Sequence, residues 1–196
     1  MKRFFNTVLK FSFLSLAVIG MLSVSGCDDD DPAVDPLVGK YRLTNATTAA
    51  ELTIVLPGAT DPTTLPNGSD VTSIIASILA AASPCENPAN AAIELAEGGT
   101  FYYTCNGEDV DRVDSGEWSA DATSNSVTLT IQSESLGQTI TVVVSDYTVV
   151  STSFSGLIEG FPVPIDINQP FGAPLEGTST PNFQFASVDA TFTKIP

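Results

Sequence analysis

Beyond residue 36 the chain alternates apolar and polar residues with period two, the mark of strands half buried in an antiparallel sheet. Tyr41 and Leu43 fall on one face, Lys40 and Arg42 on the other. Leu52, Ile54 and Leu56 mark a second strand. Ile93 and Leu95, then Phe101 and Tyr103, flank Glu97-Gly98-Gly99, which reads as a hairpin turn. Val127, Leu129 and Ile131 alternate with Thr128, Thr130 and Gln132. Gln138 to Ser145 and Tyr147 to Phe154 read as a hairpin pair about Asp146. Phe183 and Phe185 give way to Val188, Ala190 and Phe192, a phase shift that predicts a bulge or turn.

One stretch has helical period instead. Asp70 stands where it can cap Val71 to Ala82, whose Ile74, Ile75, Ile78 and Leu79 form an apolar stripe, and Pro84 would stop it. Its expected task is to plug one end of a barrel or to cover a sheet face. Two proline-bearing segments, Pro57 to Ser69 and Gly160 to Pro181, read as long loops. The second is either a functional loop or a flap over a sheet edge. The pattern predicts one mainly β domain over residues 37–196 with a single short helix, and shows no internal repeat.

The first 27 residues have a different character. Lys2, Arg3 and Lys10 precede an apolar run from Phe11 to Leu22, which has the length of a signal-peptide core and is short for a membrane span. Val24-Ser25-Gly26-Cys27 follows, and this region resembles the signal peptides of bacterial lipoproteins. The resemblance implies cleavage after residue 26 and lipid attachment to Cys27, whose thiol would accept the diacylglycerol. Several acyl chains, at about 0.8 kcal/mol per buried methylene, hold such a protein on a membrane. Asp28 to Asp31 come next; four adjacent like charges cannot pack, so residues 27–36 read as a lipidated cysteine and solvated acidic tether. The run is similar to the acidic export signal that carries lipoproteins to the outer face of the outer membrane in one Gram-negative phylum. In other Gram-negative bacteria an Asp after the cysteine implies retention at the inner membrane. Surface display on the outer membrane is the expectation.

Charge narrows the partners. All 23 acidic residues lie after the N-terminal segment, facing 4 basic ones there, a formal charge of −19. Such a surface repels phosphate backbones and anionic headgroups, which argues against nucleic acid and polybasic membrane docking. A cationic ligand, a metal ion or a neutral apolar molecule is compatible with it. The acidity also serves simple solubility.

With Cys27 lipidated, Cys85 and Cys105 remain, and an even pair in an oxidising compartment reads as a disulfide. No metal or other cofactor is expected: the chain has no histidine and, beyond this pair, no further free thiol for zinc. Around the pair, Leu37-Val38-Gly39-Lys40-Tyr41-Arg42-Leu43 resembles the opening strand of lipocalin-like domains. Ile93 to Phe101, then Gly116-Glu117-Trp118, resemble the middle of bacterial lipocalin-like lipoproteins, and Ala190 to Ile195 a closing strand. The resemblance implies an antiparallel lipocalin-like β-barrel, or a closely related β-sandwich, that binds small hydrophobic molecules as a class.

Catalysis finds little footing. Without histidine the commonest acid–base group and the usual partner of a nucleophile are missing. Asp109 and Asp111 have the chemistry of glycosidase carboxylates, with nothing in the sequence to place them in one cleft. Glu108, Asp109, Asp111 and Asp114 read as a solvated hairpin end, since the spacing lacks the glycine and terminal glutamate of the twelve-residue calcium loop. Tyr41, Phe101, Tyr103 and Trp118 are candidates to line an apolar interior that holds a ligand, and equally to be plain core. The expectation is a non-enzymatic, lipid-anchored envelope protein with a possible hydrophobic ligand; the alternative is a surface adhesion or structural module with a filled β core.

Overall fold

The computed structural model describes residues 35–133 and 137–196, which fall within one unit, Val34–Pro196. The expected signal peptide, Cys27 and the acidic run lie outside the described residues. Strands β1 (Gly39–Thr48), β4 (Ala91–Leu95), β5 (Thr100–Cys105), β6 (Val113–Asp121), β7 (Ser126–Ser133), β8 (Gln138–Val150), β9 (Ser153–Val163) and β10 (Gln184–Ile195) form the main sheet. Between β1 and β4 lie a hairpin, β2 (Leu52–Val55) and β3 (Pro62–Leu65), and the helix α1 (Thr72–Ala82). The main sheet closes on itself: each strand from β4 to β10 pairs antiparallel with the next, and β1 bridges β10 and β4. Closure decides between the two architectures expected, and the domain is an eight-stranded antiparallel barrel.

Alternation sorts the side chains. Tyr41, Leu95, Phe101, Trp118, Val127, Val142, Phe154, Ile158, Val188 and Phe192 are buried in one apolar cluster. Thr128, Thr130, Thr139 and Thr141 take the opposite parity on β7 and β8. Apolar inside and polar outside is the reverse of a barrel that stands in lipid, whose outer band is apolar. No described helix is long and apolar enough to cross a membrane.

The two ends of the barrel differ. At one, tight turns join β4 to β5, β6 to β7 and β8 to β9, and the chain enters beside them at Asp35. Gly98 and Gly99 supply the left-handed angles (φ 83° and 85°) that the expected Glu97-Gly98-Gly99 turn requires. At the other end lie all the long connections: the β1–β4 insertion, the β5–β6 loop and residues 164–183.

Closure against β4 is short. β1 pairs with it only at Gly39–Leu95, Lys40–Glu94 and Tyr41–Ile93. Further along, the inserted segment takes the strand's place. Val71 N–H donates to Ala46 O (2.9 Å), Thr48 N–H to Ser69 O (2.9 Å) and Gly68 N–H to Thr48 O (2.7 Å). The Thr72 hydroxyl accepts from Ala46 N–H at 2.8 Å. Asp70 contributes as the sequence implied, its carboxylate accepting Thr72 N–H at 2.9 Å as α1 begins. Helix α1 lies against both β1 and β4, and Val71, Ile75 and Leu79 join the main apolar cluster. The helix thus covers the seam where the two strands part.

Three expectations need correction. Asp146 is not a hairpin turn: β8 runs through it to Val150, and its left-handed φ of 50° marks a bulge where the pairing with β9 slips between Ser145 and Thr148. Pro57 to Ser69 is not all loop, because Pro62–Leu65 pairs with β2. The phase shift after Phe185 is no break in β10: Ala186, Val188, Ala190 and Phe192 are all buried in regular alternation, so Phe185 belongs to the outer face. The pairing irregularity there places the extra residue on β9.

Gly116 marks where β6 cannot carry a side chain. Its φ is 142°, and a Cβ would lie 1.9 Å from Thr130 O on β7. Gly116→Ala is expected to destabilise the barrel by about 3 kcal/mol, by strain plus displacement of the β6–β7 ladder. Urea unfolding checks this; an unchanged midpoint would mean that the ladder yields freely.

Candidate functional site

The four interior candidates do share the barrel's inside, and each is held by neighbours of the same chain. Tyr41 is 1% exposed; its ring meets Phe154 edge-on at 6.0 Å, and its hydroxyl donates to Leu37 O at 2.9 Å. Burial, then the charge of Asp35, raises its phenol above the ordinary value. Lys194 stands over the same ring, Nζ 5.9 Å from the centroid, and donates to Val38 O at 2.8 Å. These contacts fold residues 36–38 across the turn end. Trp118 points its indole N–H at Ala96 O in the β4–β5 turn, 2.9 Å away. Phe101, buried, meets Tyr103 edge-on at 5.1 Å. Tyr103 keeps some surface open, yet burial of its ring pushes the phenol up to about 12.

At the loop end the apolar cluster continues into the insertions. Leu52 and Ile54 of β2 and Phe161 and Val163 of β9 are buried in it, with Ile167 packed against them. Two asparagines bind these segments together. Asn182 is fully buried; its amide nitrogen donates to Asp166 O and Gln169 O, and its oxygen accepts Asp166 N–H. Asn168 accepts Gly58 N–H and donates to Leu56 O and Ala59 O, which ties the 164–183 loop to the β2–β3 hairpin. Val55 completes the contact, donating its N–H to Ile165 O and accepting from Ile167 N–H. Of the two roles expected for this loop, a covering one agrees with these bonds. Among the described residues no buried side-chain nitrogen or oxygen lacks a partner. The interior therefore offers a ligand no free polar group for orientation.

The acidic stretch after β5 is tied down rather than convergent. Glu108 accepts from Asn90 Nδ2 (2.8 Å), Glu86 N–H (2.8 Å) and Asn87 N–H (3.1 Å), which fastens the β5–β6 loop to the turn before β4. The Asn90 side chain and then the Glu86 amide hold its carboxyl below the usual range. Asp114 accepts Gly116 N–H at 3.2 Å, and Arg112 pairs with Glu94 while covering the Tyr102 ring. Cys85 and Cys105 form the expected disulfide, with Cα atoms 5.5 Å apart. A bridge that closes a loop of this size stabilises by roughly 3 kcal/mol through chain entropy. Glu108 lies beside these sulfurs, close enough for three ligand atoms to gather, but the sulfurs are committed to each other. Sequence reasoning found the disulfide and the interior rings. It missed Asn182, Asn168 and the holding role of Glu108, for which the only local sign is the amide and carboxylate residue types.

What fold and interior define is a closed eight-stranded antiparallel barrel with a side-chain-filled core and a lid of two interlocked insertions. No protein-family model matches the chain, and neither a curated protein nor a solved structure does so.

The Glu108 contacts carry a pH signature. Its folded pKa lies below the ordinary value of 4.5, so its stabilisation is complete above that pH and is lost as pH falls through the folded value. Glu108→Gln is expected to lower Tm at pH 7, with the gap to the unaltered protein closing below about pH 4.5. A gap that stays constant down to pH 3 would show that the charge is irrelevant.

Proposed function

We propose that this chain is a non-enzymatic, lipid-anchored lipoprotein of the Gram-negative cell envelope, with a lipocalin-like barrel that acts as a filled scaffold for recognition at its surface. One observation carries the choice of scaffold over carrier. Tyr41, Phe101 and Trp118, the side chains best placed to line a cavity, are packed against the chain's own rings, and the polar atoms of Tyr41 and Trp118 are bonded to its own backbone. Eight strands enclose a space that side chains alone can fill. The lid adds two insertions bonded to each other, an arrangement that resists opening.

Two further features support the reading. The resolved shifts among described carboxylates are all downward, and each follows from hydrogen bonds that hold a turn or loop. A catalytic acid would be expected to shift upward. The chain also enters the barrel at the turn end, so a lipid on Cys27 would join it there and leave the elaborated end free for contact.

Native mass spectrometry of the full-length protein, expressed in a Gram-negative host and purified in neutral detergent, separates the alternatives. The expected mass is the polypeptide plus acyl chains that survive denaturation, since those are covalent. Extra mass released by denaturation would identify a carried small molecule and overturn the scaffold reading. Cys27→Ser is expected to move the protein from the detergent phase to the aqueous phase in a cloud-point partition. Retention in the detergent phase would sink the anchor.

A further inference from the structure

The outer wall at β9 and β10 carries features that neither the core nor the lid uses. Phe185 is 57% exposed and ends a line of rings, Phe171 to Phe183 at 6.3 Å and Phe183 to Phe185 at 5.7 Å. Along the same face of β10 follow Ser187, Asp189 and Thr191, alternating with the buried Ala186, Val188 and Ala190. There the wall sinks into a depression of about 380 Å³, bordered by Asn45, Asp146, Ser155, Leu157, Asp189 and Thr191. Two irregularities form it: the β1 register slip between Leu43 and Asn45, and the β8 bulge at Asp146. Among the described residues, the carboxylates of Asp146 and Asp189 accept no hydrogen bond and pair with no cation.

The charge of the barrel is sorted as well. Lys40, Arg42 and Lys194 sit together where β1 and β10 meet at the turn end, and the remaining basic residue, Arg112, is paired with Glu94. Glu51, Asp61, Asp70, Glu86, Glu108 and Asp166 all lie in the connections at the loop end. The ring line thus ends on a wall whose surroundings are negative.

We propose that this face docks an arginine-bearing basic segment of a partner protein. Resting on the scaffold reading above, it names the partner chemistry. A guanidinium stacks flat on aromatic faces and forks onto carboxylates, and the wall presents exposed rings beside two unpaired carboxylates. Phosphate-bearing partners are repelled by the same charges. The negative field speeds encounter, and the rings and depression give it a place to settle.

Fluorescence anisotropy of labelled nona-arginine against the full-length protein in neutral detergent tests this. Asp146→Asn with Asp189→Asn removes both charges, and Asn tolerates the left-handed angle at residue 146. Asp109→Asn with Asp111→Asn makes the same change in net charge on the β5–β6 loop. Affinity is expected to fall about tenfold in the first pair and about fivefold in Phe185→Ala, and to change less than about twofold in the second pair. Equal losses in both pairs would mean diffuse attraction and overturn the docking face, as would absence of binding. Binding of cellohexaose that Phe185→Ala abolishes would make the rings a sugar platform and also overturn it. These failures leave the scaffold standing if the native mass is free of releasable ligand. A releasable ligand overturns the scaffold whatever the peptide does.

Discussion

β1 has β4 beside it for only three residue pairs, and past Tyr41 its backbone donors and acceptors need another partner. Unpaired strand edges cost free energy and invite association with other chains. The segment from Gly68 to Thr72 satisfies them, and α1 fills the widening gap with Val71, Ile75 and Leu79. The barrel is therefore complete only with its insertion. Register between β1 and β10, burial of the turn-end rings and the seat of the lid all depend on this seam staying shut.

The lid follows from the same economy of backbone groups. A connection of twenty residues without helix or strand must satisfy its own peptides, and Asn182 does so from inside by imitating a peptide group, with donor and acceptor both used. Asn168 then joins that loop to the β2–β3 hairpin, so that two segments more than a hundred residues apart behave as one cover. The disulfide and Glu108 brace the remaining corner, where the β5–β6 loop meets the turn before β4. Each device works on main-chain atoms, and none needs a conspicuous sequence.

That explains what could be read in advance. Strands such as Val127–Leu129–Ile131 declare themselves because one parity is apolar and the other is threonine, and the helix because its stripe has a different period. Gly98-Gly99 announces a turn through angles that few residues adopt. Asp146 misleads because a bulge and a turn ask for the same left-handed residue, and only the continuing partner strand tells them apart. Phe185 misleads because an aromatic ring is counted as core until parity across the whole of β10 places it outside. Pro62 hides β3, since proline argues against a strand interior and here begins a short edge strand. Tyr41, Phe101 and Trp118 were legible as inward residues. Whether an inward ring borders space or another ring depends on the closing radius and on distant insertions, which no local pattern encodes.

The pairing of β1 with β10 has a consequence for how the molecule comes into being. Lys40 meets Ile195, so the last strand to be synthesised completes the sheet begun by the first. Hairpins between neighbouring strands can form as the chain emerges, but ring closure must wait for the final dozen residues and draw together segments separated by nearly the whole domain. Such non-local closure is slow compared with local pairing. During that interval β9 and β1 each present an open flank. The early insertion can already shield one side of β1, which leaves the emerging polypeptide with fewer exposed edges through which to aggregate before β10 arrives.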